Sequence, residues 1–183
     1  MKKKCALYGL AALFAAGTIL HAAQGTPETA AHEFLQKLVG VWETDWEVVM
    51  DPTQPPTKFK GTETVRAIGD RWIVSEIKSD MLGGVPMTGI LTLGHDPEKK
   101  KFVGTWIDSM STYLWKYEGA LDESGKILTL DTEGPSPMSP GKMAKFRERI
   151  ELKSKDHRLF TSSLQGENGE WSTFVTVNTR RKS

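Results

Sequence analysis

The chain has 183 residues, with 24 Lys and Arg against 23 Asp and Glu, a formal net charge of +1 and a hydrophobic fraction of 38%. That length holds one domain. The balanced charge and modest apolar content exclude a polytopic membrane protein and a strongly basic nucleic-acid binder, so no nucleic-acid partner is expected.

In chain order, Met1 to Lys4 is a short basic segment, Cys5 to Ala23 an apolar run, and Ala22-Ala23-Gln24-Gly25 a small-residue cluster that suits signal peptidase. Residues 1–25 are expected to be a signal peptide, placing the mature protein in the periplasm or outside the cell. Gly9, Gly17, Thr18 and His21 interrupt the run and argue against an anchor helix, and Cys5 precedes it, which argues against a lipoprotein. Cleavage removes three lysines and the single cysteine, leaving 21 basic against 23 acidic groups and no integral membrane segment. A thiol-free exported chain has no disulfide to rely on, so its stability must come from its core.

A short helix is expected over 26–39: Thr26 is a candidate N-cap, Pro27 suits the first helical position, and Phe34, Leu35 and Leu38 share one face before Gly40. Residues 40–183 read as strand throughout. Ten segments rich in β-branched and aromatic residues, with turn chemistry between them, fall near 41–50, 59–68, 71–80, 87–94, 101–108, 112–121, 126–134, 143–154, 157–165 and 170–180. Alternation puts Trp42, Thr44, Trp46, Val48 and Met50 on one face of the first strand. In the same way Phe102, Gly104, Trp106 and Asp108 share a face, as do Tyr113, Trp115, Tyr117, Gly119 and Leu121. Short connections favour an all-β, antiparallel up-and-down meander, and closing it into a barrel removes exposed edges. A two-sheet sandwich has the same local pattern.

In such a meander alternate turns gather at opposite ends. One end collects seven of the nine prolines, Pro52, Pro55, Pro56, Pro86, Pro135, Pro137 and Pro140. It also collects every methionine after the first: Met50, Met81, Met87, Met110, Met138 and Met143. The other end has short polar turns such as Asp122-Glu123-Ser124-Gly125, together with Trp42, Arg180 and Arg181. A closed, charged base and an open mouth rimmed by adaptable thioethers are therefore expected, although methionines capping the core under long loops fit the same pattern.

Gly40-Val41-Trp42 after a short helix resembles the opening of lipocalin-like, or calycin, barrels, in which an arginine near the last strand packs over the tryptophan. That resemblance implies a cation–π contact from Arg180 or Arg181. More specific are Gly69-Asp70-Arg71-Trp72-Ile73, Met87-Thr88-Gly89, Leu93-Gly94-His95-Asp96, Phe102 to Ser109 and Thr179-Arg180-Arg181-Lys182. In that order and spacing the chain is similar to the bacterial domain-of-unknown-function family numbered 1579, placed among calycin-like barrels. The similarity spans roughly 38–182. His95 stands where the family more often has tyrosine, a change expected to be a harmless surface one. The family implies a barrel and no activity.

Nucleophile elbows, zinc signatures and phosphate-binding loops are absent from the sequence, and no cofactor or metal is expected. His32 reads as part of a solvated helix face, and His95 and His157 as surface turn residues. The candidate ligand-binding residues are Trp46, Glu76, Trp106, Asp108, Trp115 and Glu148, with Tyr113 and Tyr117 beside them. Parity puts Asp108 inward near the mouth and Glu148 inward with Phe146, Ile150 and Leu152, while Glu76 shares a face with Trp72 and Val74. An inward carboxylate anchors a polar group, acts as an acid or base, or pairs with an arginine such as Arg71, Arg147 or Arg149. Three readings follow: a barrel binding a small lipophilic ligand, a calycin-shaped isomerase or hydrolase using the carboxylates, and a protein-interaction module. The first is preferred.

Overall fold

The computed structural model describes residues 27–80 and 84–183. The expected signal peptide at 1–25, the Thr26 cap and Met81 lie outside the described residues. The first element, α1 (Pro27–Leu38), places Ala31, Phe34, Leu35 and Leu38 on one stripe, each at most 1% exposed. This is the i, i+3, i+4, i+7 spacing of a helix with one apolar face. Gly40 follows with a φ of 141°, and the Arg181 guanidinium lies where a side chain on residue 40 would stand. Only glycine turns the chain here from helix into strand.

Ten strands follow: β1 (Gly40–Val48), β2 (Thr57–Ile68), β3 (Trp72–Asp80), β4 (Pro86–Asp96), β5 (Lys101–Asp108), β6 (Trp115–Leu121), β7 (Ile127–Pro135), β8 (Met143–Ser154), β9 (His157–Gln165) and β10 (Trp171–Arg181). Each pairs antiparallel with its sequence neighbours, and β10 returns to β1 from Trp42↔Arg181 to Val48↔Val175, closing the barrel. The up-and-down barrel expected from the alternation is therefore the fold, and the sandwich is excluded. Closure leaves no edge strand to pair with another chain.

Inside, the two halves differ. The solid core lies at the end entered by α1, where Phe34 and Leu35 pack with Trp42, Ile73, Leu93, Phe102 and Leu128. Phe34 meets Phe102 edge-on at 5.9 Å. The helix is thus the plug of the closed end. Outside, the wall carries exposed ion pairs such as Lys58–Glu47, Lys78–Glu76 and Arg147–Asp131. Each such pair contributes little stability, but together they keep this face polar.

Two expectations change at the level of single strands. On β3 the inward residues are Ile73, Ser75, Ile77 and Ser79, so Trp72 and Glu76 face outward, with Trp72 40% exposed. The cause is Gly94 on neighbouring β4: the Trp72 ring covers its bare outer face, which gives the tryptophan an apolar contact without burial in the barrel. His95 is no surface turn residue. It lies within β4, one residue before its end, half-buried and with its ring edge-on to Phe102 at 5.4 Å.

Candidate functional site

Above the solid core the barrel encloses a cavity of about 370 Å³, within the range of small-molecule sites. Its walls come from alternate residues of nearly every strand. Trp46, Leu91, Trp106, Trp115, Tyr117, Leu130, Phe146, Ile150, Phe160, Phe174 and Val177 supply the apolar surface. Pro135 and Pro137, at the start of the β7–β8 connection, carry the lining to the mouth end. A bulge in β10 between Thr173 and Val175 shifts the side-chain parity, so that consecutive Phe174 and Val175 both line the cavity.

Two of the tryptophans are held flat against the wall by glycines. Trp106 lies over Gly89, and Trp115 lies over Gly134, in each case where a Cβ would otherwise stand. The Trp106 indole N–H donates to Asp108 Oδ2 at 2.8 Å, and Trp115 meets Phe146 edge-on at 5.0 Å. The flat rings leave space that a projecting indole would fill.

The floor is polar and paired within itself. Glu63 and Arg158, both under 10% exposed, form an ion pair across the barrel, and the Ser75 hydroxyl donates to Glu63 Oε1 at 2.6 Å. The Trp42 ring packs against two guanidinium groups, Arg158 at 4.5 Å and Arg181 at 4.1 Å from its centroid. Trp42 donates its indole N–H to Leu38 O at 2.9 Å, and Arg181 Nη1 donates to Val39 O at 2.9 Å, so the pair ties the end of α1 to both terminal strands. The arginine expected over the tryptophan is Arg181. Arg158 is a second one that sequence reasoning missed, as it missed Glu63. The signal was present: Glu63 falls in register with Phe59 and Val65, and Arg158 with Phe160 and Ser162.

Of the six candidate ligand-binding residues, Trp46, Trp106, Asp108, Trp115 and Glu148 line the cavity. Glu76 does not: it pairs with Lys78 on the outer wall at 2.9 Å. Asp108 is half-buried at the mouth, and both its oxygens are engaged, Oδ2 by Trp106 and Oδ1 by the Met110 amide at 2.8 Å. Glu148 differs. It is 7% exposed, Ser162 donates to Oε1 at 2.9 Å, and Oε2 has no hydrogen-bond partner. No arginine reaches it, since Arg147 pairs outward with Asp131. Burial outweighs the Ser162 hydrogen bond and pushes its carboxyl up to about 8. The neighbouring Tyr117 phenol is raised as well, chiefly by burial and then by the charges of Glu148 and Asp108.

Among the described residues no methionine lines the cavity. Met50, Met110, Met138 and Met143 stand at the mouth end but are 42–55% exposed, and Met87 is buried. Among the described residues no cluster of His, Cys, Asp and Glu suits a metal ion, and no helix is long and apolar enough to cross a membrane.

A closed ten-strand barrel, plugged by one helix and hollow above it, defines a calycin-like barrel protein. Among solved structures the fold is similar to Rv2717c from M. tuberculosis, with a TM-score of 0.58 and 12% identity over 84% of this chain and 98% of that one. It is also similar to the S-type phycobiliprotein lyase CPES from Guillardia theta, with a TM-score of 0.52 and 15% identity over 85% and 98% of the two chains. At these identities the likeness is one of fold. No curated protein matches the chain. The chain belongs to the family described as protein of unknown function DUF1579, whose model matches residues 27–181.

Proposed function

We propose that this protein binds a small lipophilic ligand within the barrel, and that it does so after export, residues 1–25 having been removed as a signal peptide. The carrying observation is the 370 Å³ cavity with aromatic walls that reaches the mouth end while α1 seals the other. Apolar surface of this kind gains free energy from any ligand that removes it from water, at roughly 25 cal/mol per Å², and the few polar groups around it set orientation. Of the three carboxylates in the acid–base reading, Glu148 alone offers the cavity an oxygen without a partner, since Glu76 faces out and Asp108 is engaged at both oxygens.

Native mass spectrometry of the protein purified from its own cells tests both parts. The expected spectrum shows a polypeptide shortened by the leader and carrying a small-molecule adduct that is lost on mild activation. A full-length mass with no adduct, from membranes or cytoplasm, contradicts the proposal.

A further inference from the structure

The polar groups of the wall limit what the cavity can hold. Three carboxylates line it, Glu63, Asp108 and Glu148, against one cation, Arg158. That cation is engaged: its guanidinium pairs with Glu63 and stacks on Trp42. Both oxygens of Glu63 accept hydrogen bonds, from Ser75 and Arg158, and both of Asp108 do, from Trp106 and Met110. Of the three carboxylates, Glu148 alone keeps an oxygen with no hydrogen-bond partner, Oε2, buried on β8 between Phe146 and Ile150. An unsatisfied buried carboxylate oxygen carries a desolvation cost, which a ligand able to satisfy it would recover.

Resting on the binding reading above, we propose that Glu148 Oε2 is the anchor of the site, and that the ligand is a flat apolar molecule bearing one basic nitrogen. The nitrogen matches Glu148 in either protonation state. The carboxylic acid donates to a nitrogen lone pair, the carboxylate accepts from a protonated nitrogen, and in both cases one proton lies between them. The carboxyl, pushed up to about 8 by burial, is able to hold that proton near neutral pH. The faces of Trp115, Tyr117 and Phe146 accommodate the partial positive charge of such a ligand. A lipophilic anion meets the opposite situation: its head would be placed among three carboxylates, and the one cation of the lining, Arg158, is already paired with Glu63.

The test compares four probes with the same bicyclic body: naphthalene, quinoline, 1-naphthylmethylamine and 1-naphthoate. Binding is read by quenching of the cavity tryptophans in the wild type and in Glu148→Leu. The expected result is that quinoline and the amine bind the wild type about tenfold or more tighter than naphthalene, and that naphthoate binds more weakly than naphthalene. In Glu148→Leu the nitrogen advantage disappears while naphthalene still binds, which also reports that the variant is folded. Naphthoate binding as tightly as quinoline, or a quinoline preference that survives Glu148→Leu, overturns the assignment of Glu148 and leaves the cavity reading standing. Failure of all four probes, naphthalene included, overturns both.

Discussion

Glu63 and Glu148 face the same interior, are equally buried, and differ in what surrounds them. Glu63 has a guanidinium and a hydroxyl; Glu148 has a hydroxyl alone. For the first, removing one partner is worse than removing both, because a lone buried charge keeps its desolvation cost. Glu63→Gln is therefore expected to cost about 3–5 kcal/mol in urea unfolding, and Glu63→Leu with Arg158→Met less than that. A double variant less stable than the single one contradicts this account of the floor. For Glu148 the same physics appears as a pH dependence. In the unfolded chain the carboxyl loses its proton near 4.5, whereas in the folded barrel it keeps it to about 8. Between these values the folded state binds more protons, so stability falls as pH rises and levels off above about 8. In Glu148→Gln that component is absent, and the wild type should lose up to about 5 kcal/mol relative to the variant across the window. Tyr117, Asp108 and Arg158 remain in both proteins, so parallel stability curves would rule out the buried, protonated Glu148.

The strands show why some faces were legible in the sequence and others were not. On β1 acidic residues alternate with aromatic ones and on β5 Phe102, Trp106 and Asp108 share one parity, so Trp46, Trp106 and Asp108 fall inward as parity requires. On β3 the run Trp72-Ile73-Val74-Ser75-Glu76-Ile77 is apolar at both parities, and Trp72 misleads because its contact is Gly94 on the outside. The bulge in β10 is equally silent, since nothing in Thr173-Phe174-Val175 marks the extra residue. The Glu63–Arg158 pair joins residues 95 apart, and only closure of the barrel brings β2 and β9 face to face. At this scale the cavity depends on Gly89 and Gly134, which let two indoles lie against the wall. Gly134→Val is expected to drive Trp115 into the open space and weaken naphthalene binding at least about tenfold, with a blue-shifted tryptophan emission. Unchanged affinity would mean that the indole has another way to fold back.

Across the whole molecule, the two ends anticipated from the chain order are real but differently built. The closed end is a helix plug bolted by Trp42, Arg158 and Arg181, and not merely a charged base. The mouth gathers the prolines and methionines as expected, yet none of the described thioethers is in the cavity lining, which aromatic rings from the strands form. Sequence order was enough to sort the turns because an up-and-down meander has only two ends. It was not enough to show which way a loop side chain points, because loops lack the period of a strand. The central claim is that the upper half of the barrel is a space kept for a ligand. A crystal structure of the protein soaked with quinoline tests it most directly. The account predicts density for the bicycle between Trp106, Trp115 and Phe146 with its nitrogen within about 3 Å of Glu148 Oε2. A barrel whose side chains have collapsed into that space, leaving no room for the probe, would contradict it.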